Sequence, residues 1–355
     1  MAICRVPAGQ TYLTIAPLTH YPIPVKPTEE KTTMTLSGNS FTEAFARDID
    51  LGLSNTPKHL PSRYFYDERG DKLFQDIMAL DEYYLTRSEY AIFEQHKQRI
   101  LEHFSRGDQR FRLIEFGAGD GLKTKVLLSH FLEQKADFSY LPIDISQNAL
   151  DGMVADLNEV MPGLDVRAQQ GEYFSALRAI PSDAGSRKAV LFLGSNIGNF
   201  MDNPGDAFLS QLSASLNPGD ILLIGMDLKK EPSRVLAAYN DPKGVTADFN
   251  LNLLDRINRE LGGNFNREDF VHYPIYNPHS GICKSYLVSR KNQDVYIEAI
   301  GKEFHFDAWE AIFMEVSRKY DLKSIESMAA RNGFTVAEHL FDPDKNFTDS
   351  IWIKQ

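Results

Sequence analysis

Between residues 100 and 228 the chain alternates short apolar runs with helical segments, and this limits the fold more than any other feature of the sequence. The stretches "FRLIEFGAG", "FSYLPIDIS", "LDVRAQQG", "KAVLFLGS" and "DILLIGMDL" read as strands. Between them, "LKTKVLLSHFLEQ", "QNALDGMVADLNEV", "EYFSALRAI" and "PGDAFLSQLSASL" space apolar residues three and four apart and read as helices. Strands joined through helices make right-handed crossovers, so the block predicts an α/β fold with a doubly wound parallel sheet. In such sheets ligands bind beyond the carboxyl ends of the strands.

The flanks follow other periods. "SFTEAFARDIDLGL", "DKLFQDIMAL" and "TRSEYAIFEQHKQRILEHF" predict helices, the last with an N-cap candidate in Thr86 or Ser88. After residue 229, "SRVLAAYND" and "ADFNLNLLDRINREL" read as helices, and "VHYPIYNP", "GICKSYLVSR" and "DVYIEAIGKEFHF" as antiparallel strands. Residues 1–40, rich in Pro and Thr without a sustained period, read as a mobile arm or a tail packed on the body.

The net charge of −11 argues against a nucleic-acid-binding face and for a small-molecule partner. Two cysteines, Cys4 and Cys283, build neither a disulfide framework nor a zinc site. His272, His279 and His305 lack ligand spacing, so no metal is expected. No run of 18 apolar residues occurs, and the N-terminus makes a poor signal peptide. The expectation is a cytoplasmic monomer without membrane contact.

Chemistry first enters at "LIEFGAGDGLKTKVLL". Gly117, Gly119 and Gly121 join a strand to a helix, where backbone approaches a ligand closely and free N–H groups point at it. The spacing G-x-G-x-G puts Leu122 where a dinucleotide fingerprint needs glycine, which favours S-adenosylmethionine over a pyrophosphate cofactor. Glu115 suits the ammonium of its methionine moiety. Asp144, at the end of the second strand, suits the ribose hydroxyls. Glu172 and Tyr173, after the third strand, suit the adenine. The fourth strand ends in "GSNIGNF", where Gly194 and Gly198 keep backbone close and Asn199 both donates and accepts hydrogen bonds. A plain strand–loop turn explains that stretch equally well.

Taken together, "YFYDERGDKLFQDIMALDEYYLTRSE", "GAGDGLKTKVLL", "YLPIDIS", "FLGSNIGNF", "AAYNDPKGVTADFNLNLL" and "FMEVSRKY" resemble the histidine-specific N-alpha-methyltransferase family over residues 43–355. The resemblance implies a Rossmann-like S-adenosylmethionine core at 100–228. It implies a discontinuous α+β substrate domain from 41–99 and 229–320, with 321–355 returning to the core. It implies cofactor contacts from Gly117, Lys123, Asp144, Glu172 and Tyr173, with Gly119 in the same loop. Substrate contacts are implied at Tyr83, Gly194, Asn199, Tyr239, Glu315 and Ser317, and Tyr66 and Asn199 are implied to serve the reacting amine. The glutamate and serine of "MEVS" would grip an imidazole. Strand alternation alone favours a solvated face for Glu315. Ser285 departs from the pattern, since the family carries Met there. The implied reaction is methylation of the histidine α-amino group, three times over, to give hercynine in ergothioneine biosynthesis. Two alternatives stay open: another amino acid or a histidine derivative as substrate, and a regulator that binds S-adenosylmethionine without turnover.

Overall fold

The computed structural model describes residues 38–355 other than 107–108, 119–120, 145–146, 172, 181–185 and 201. The expected arm up to residue 37, Gly119 and Glu172 lie outside the described residues.

In chain order the elements are α1 (Gly38–Ser54), α2 (Glu68–Met78), α3 (Leu85–Ser105), β1 (Phe111–Phe116), α4 (Thr124–Glu133), β2 (Phe138–Asp144), α5 (Gln147–Val160), β3 (Gln169–Gln170), α6 (Tyr173–Ala179), β4 (Arg187–Phe192) and α7 (Asp202–Ala214). They continue with β5 (Ile221–Asp227), α8 (Pro232–Tyr239), α9 (Val245–Leu261), β6 (Phe270–Asn277), β7 (Ile282–Ser289), β8 (Gln293–Ile297), β9 (Lys302–Phe306), β10 (Ala311–Arg318), α10 (Leu322–Arg331), β11 (Phe334–Phe341) and β12 (Phe347–Lys354).

The main sheet has the order β11-β12-β5-β4-β1-β2-β3. Its five strands from β1 to β5 run parallel, as the alternating pattern predicts, while β12 and β11 add an antiparallel edge. Strand order reverses at β1, between β2 and β4, and this opens a crevice at the carboxyl ends of β1 and β4. Strands β4 and β5 are buried along their whole length because helices cover both faces. On one face α3 lays Ile92, Phe93, Ile100 and Phe104 against Leu113, Leu191 and Leu223. On the other, Leu209, Leu212, Ile325 and Met328 pack on Ile114, Val190 and Leu222.

A separate apolar cluster joins α1, α2 and α9 to the second sheet, β10-β7-β6, and to the β8–β9 hairpin. Phe45, Ile49, Ile77, Leu253, Ile257, Leu287 and Ile312 meet there. Alternating burial along β7 shows a sheet with one covered face.

Two local expectations change. The strand read in "LDVRAQQG" shrinks to Gln169–Gln170, with Val166 adding only an isolated bridge to Tyr140. It is the edge strand, and its polar run has no apolar face to bury. Helix α3 begins at Leu85, so Thr86 and Ser88 lie inside it. Tyr84 takes the cap position without capping, since its long aromatic side chain has no acceptor near the first-turn N–H groups, and its hydroxyl instead donates to buried Asp227 at 2.8 Å. Ser88 turns inward and donates to Asp342. Among the described residues no helix is long and apolar enough to cross a membrane.

Candidate active site

Gly117 and Gly121 hold φ of +66° and +64°, in the left-handed region that favours glycine. At Gly117 a Cβ would come within 2.8 Å of the Tyr173 hydroxyl. Tyr173 is held there by stacking on Phe116, with centroids 4.7 Å apart and planes 3° from parallel. The loop therefore follows β1 with bare backbone under an aromatic ring. Glu115 faces inward: its two oxygens accept from Thr124 Oγ1 at 2.7 Å and Tyr140 Oη at 2.5 Å, and burial pushes its carboxyl up to about 7. It anchors the loop to α4 and β2. Asp144 closes β2 beside Gln170. Asp71, in the first turn of α2, is pushed up by burial, by Asp67 and also by Asp144, which shows that α2 leans over the end of β2. Lys123 stands just before α4, without capping it, and pairs with Glu89 of α3.

The loop after β4 is tied down on three sides. Gly194 and Ser195 are both left-handed, with φ of +73° and +58°. The Gly194 N–H donates to the fully buried Glu89 carboxylate at 2.8 Å, and the Asp227 N–H donates to Ser195 Oγ at 3.0 Å. Gly198 sits so close to β10 that a Cβ would lie 2.8 Å from the Arg318 carbonyl oxygen. This close approach presses the short helical turn Asn196–Asn199 against the end of β10, with the Asn199 side chain exposed.

Strand β10 supplies the other wall. Glu315 and Ser317 share one face by the two-residue period. Across the ladder they stand opposite Ser285 and Cys283 of β7. Burial pushes the Glu315 carboxyl up to about 7, with the Lys319 ammonium pulling against it. The field of Glu315 in turn raises the hydroxyls of Tyr66, Tyr83 and Tyr239, after the larger effect of enclosure around each hydroxyl, although Tyr66 as a whole is 45% exposed. Three sequence-predicted tyrosines thus gather around one carboxyl. Tyr239, the last residue of α8, reaches Ser317 Oγ at 2.8 Å.

Tyr66 stands between Phe74 and Phe249, edge-on to both at 5.7 Å. Its backbone is fixed by its neighbours. Asp67 caps α2 through the Gly70 N–H at 2.7 Å and accepts from Asn252 of α9 at 2.8 Å. Arg256 donates to the carbonyls of Tyr64 and Tyr66.

The S-adenosylmethionine-dependent, histidine-specific methyltransferase profile matches residues 45–354. The chain belongs to this family. It is 34% identical over 319 residues to the histidine N-alpha-methyltransferase of Mycolicibacterium smegmatis, covering 90% of this chain and 98% of that one. Its identity to the histidine N-alpha-methyltransferase of Mycobacterium tuberculosis is 35% over 290 residues, 82% of this chain and 88% of that one. Ergothioneine biosynthesis protein 1 of Schizosaccharomyces pombe is 28% identical over 302 residues, 83% of this chain and 39% of that one.

This methyltransferase uses S-adenosylmethionine, and the bare-backbone cradle at Gly117 and Gly121 suits that ligand. Sequence reasoning missed Glu89, Tyr84, Asp227 and Lys319. Lys319 was within reach of the strand period, two residues beyond Ser317 on the same face. The others carry no local signal, because their partners come from distant segments.

Proposed function

We propose that the chain methylates the α-amino group of L-histidine, three times in succession, to give hercynine. The carrying observation is the pairing on one face of β10 of a half-buried carboxyl, Glu315, whose titration is pushed up by its enclosure, with a buried hydroxyl, Ser317, beside Tyr239. That set matches the N–H and the lone pair of an imidazole. A site built to satisfy both ring nitrogens rejects apolar analogues, whose binding leaves its polar groups unpaired. The S. pombe relative, named for ergothioneine biosynthesis, supports the trimethylated product.

Gly117, Gly119, Lys123, Asp144, Glu172 and Tyr173 would hold S-adenosylmethionine, which supplies an electrophilic methyl group when bound. The chain's own task is to deliver a neutral amine with its lone pair aimed, so positioning carries most of the rate. Asn199 and Tyr239 hold the substrate carboxylate without adding charge, and Gly194 keeps backbone close. Tyr83 closes the cavity, and the Tyr66 hydroxyl passes the amine's proton toward water. After each methylation the amine has fewer N–H groups, and a cage of neutral hydroxyls tolerates that loss better than an ionic clamp.

Ser285 supports a second reading. It is small and buried opposite Glu315, which leaves room for a ring-substituted histidine. Mass spectrometry of products from a panel of amino acids decides between the two. The expected result is mono-, di- and trimethylated histidine. Cofactor binding by calorimetry with no methylated product from any amino acid would sink the proposal.

A further inference from the structure

Lys319 is fully buried, and its ammonium has three hydrogens and three takers. Asp227 Oδ2 accepts at 2.8 Å, Tyr239 Oη at 2.6 Å and Ser317 Oγ at 2.9 Å. An ammonium donates and never accepts. It therefore occupies a lone pair on each of the two hydroxyls proposed to face the substrate. The same contact polarises both O–H bonds, which strengthens them as donors and weakens the oxygens as acceptors. One hydroxyl hydrogen rests between the two oxygens, 2.8 Å apart. Once a substrate offers acceptors, both hydrogens are free to turn to it, because Lys319 still satisfies both oxygens.

The charge count points the same way. Asp227 is fully buried and carries two ammoniums, Lys319 and Lys230, with Tyr84 as a further donor. One carboxylate for two cations leaves positive charge directly behind Tyr239 and Ser317, while the Glu315 carboxyl stands as the counter-charge on the other side of the pocket. The positive charge favours a carboxylate or a lone pair in front of the two hydroxyls and disfavours an N–H or an imidazolium.

We propose that Lys319, braced by Asp227, is a positioning residue that fixes Tyr239 and Ser317 as hydrogen-bond donors, so that the site accepts only a neutral imidazole with its N–H toward Glu315 and its bare nitrogen toward Ser317. This inference rests on the histidine reading above. It adds tautomer and charge-state selection by a residue that does not itself touch substrate.

The test compares histidine with pyrrol-2-yl- and pyrrol-3-yl-alanine, which keep a ring N–H and lose the acceptor nitrogen. The wild-type enzyme should use the better pyrrole at least about a hundredfold less efficiently than histidine, since a donor is left unpaired. In Lys319→Met both hydroxyls regain a lone pair, and the histidine-to-pyrrole ratio of kcat/KM should narrow by about tenfold or more. The loss on histidine should fall mainly on KM, with S-adenosylhomocysteine affinity unchanged by calorimetry. Lys319→Arg, which also only donates, should restore the ratio. An unchanged ratio in a folded Lys319→Met that binds S-adenosylhomocysteine overturns the inference. Should Lys319→Met fail to fold, the wild-type ranking decides, and pyrrole use within about threefold of histidine overturns it. A wild-type enzyme that does not methylate histidine brings down the substrate reading and this inference together. If histidine is methylated and the ratio fails, the inference alone falls.

Discussion

Glu315 and Ser285 stand directly opposite each other in the antiparallel pairing of β10 with β7. The carboxyl that would take the substrate's N–H thus has a small hydroxyl as its cross-strand neighbour. Enclosure holds that carboxyl near 7, where a modest change in pH converts it from acceptor to donor.

Below about pH 7 Glu315 is protonated, so kcat/KM for histidine should fall as pH drops, tending to about tenfold per unit. Free histidine also titrates, near about 6.5. Glu315→Gln separates the two by removing the enzyme's share of the acid limb. It should also raise the histidine KM by about 10–100-fold, the loss of one charge-assisted hydrogen bond, and spare cofactor affinity. Wild-type and Glu315→Gln profiles that superimpose would remove Glu315 from the site.

Tyr66→Phe keeps the edge-on ring contacts with Phe74 and Phe249 and deletes only the hydroxyl. The melting temperature should hold. Steady-state kinetics should show kcat lowered by about tenfold or more, with a smaller change in KM. An unaltered kcat would exclude the hydroxyl from proton transfer.

Gly225 has no Cβ where Glu89 and Asp349 crowd together; one built there would lie 2.2 Å from a Glu89 oxygen and 3.2 Å from an Asp349 oxygen. Burial and the Glu89 charge push the Asp349 carboxyl well above the usual carboxylate range, which favours its protonated form. Asp349→Asn should therefore change stability by no more than about 1 kcal/mol at pH 7. Glu89→Ala strands Lys123 and should cost about 3 kcal/mol in urea unfolding. The sign of the pH dependence follows from linkage. Native Asp349 keeps a proton that the unfolded chain releases above about pH 3.9, so its contribution is lost as pH rises. The stability of Asp349→Asn relative to wild type should climb as pH rises above about 3.9, and a flat difference would count against a raised Asp349 carboxyl.

Asp144→Ala should weaken S-adenosylhomocysteine binding by roughly 2–5 kcal/mol, one or two charge-assisted hydrogen bonds to ribose. Calorimetry reads this directly. Affinity within about threefold of wild type would place the ribose elsewhere.

Much of this fold was legible before any coordinates. Periods of two and of three to four residues mark strands and helices over a handful of neighbours, and β1, α4, β2, β4 and β5 fall where those periods put them. Edge strand β3 is shorter than its sequence predicts, because its polar residues have no packing partner to extend the ladder. Glu115 was read as facing the ligand and turned inward, since Thr124 and Tyr140 offered it buried donors.

By itself the sequence determined the alternation of strand and helix, the glycines that free the loop after β1, and the strand period that puts Glu315 and Ser317 on one face. These depend on backbone sterics and spacing between near neighbours. Tertiary structure alone decided that Lys319 joins Asp227 of β5 to Tyr239 of α8, and that Glu89 of α3 ties Lys123 to Gly194. A buried charge persists only where partners satisfy it, and these partners lie on segments far apart in the chain that only packing brings together.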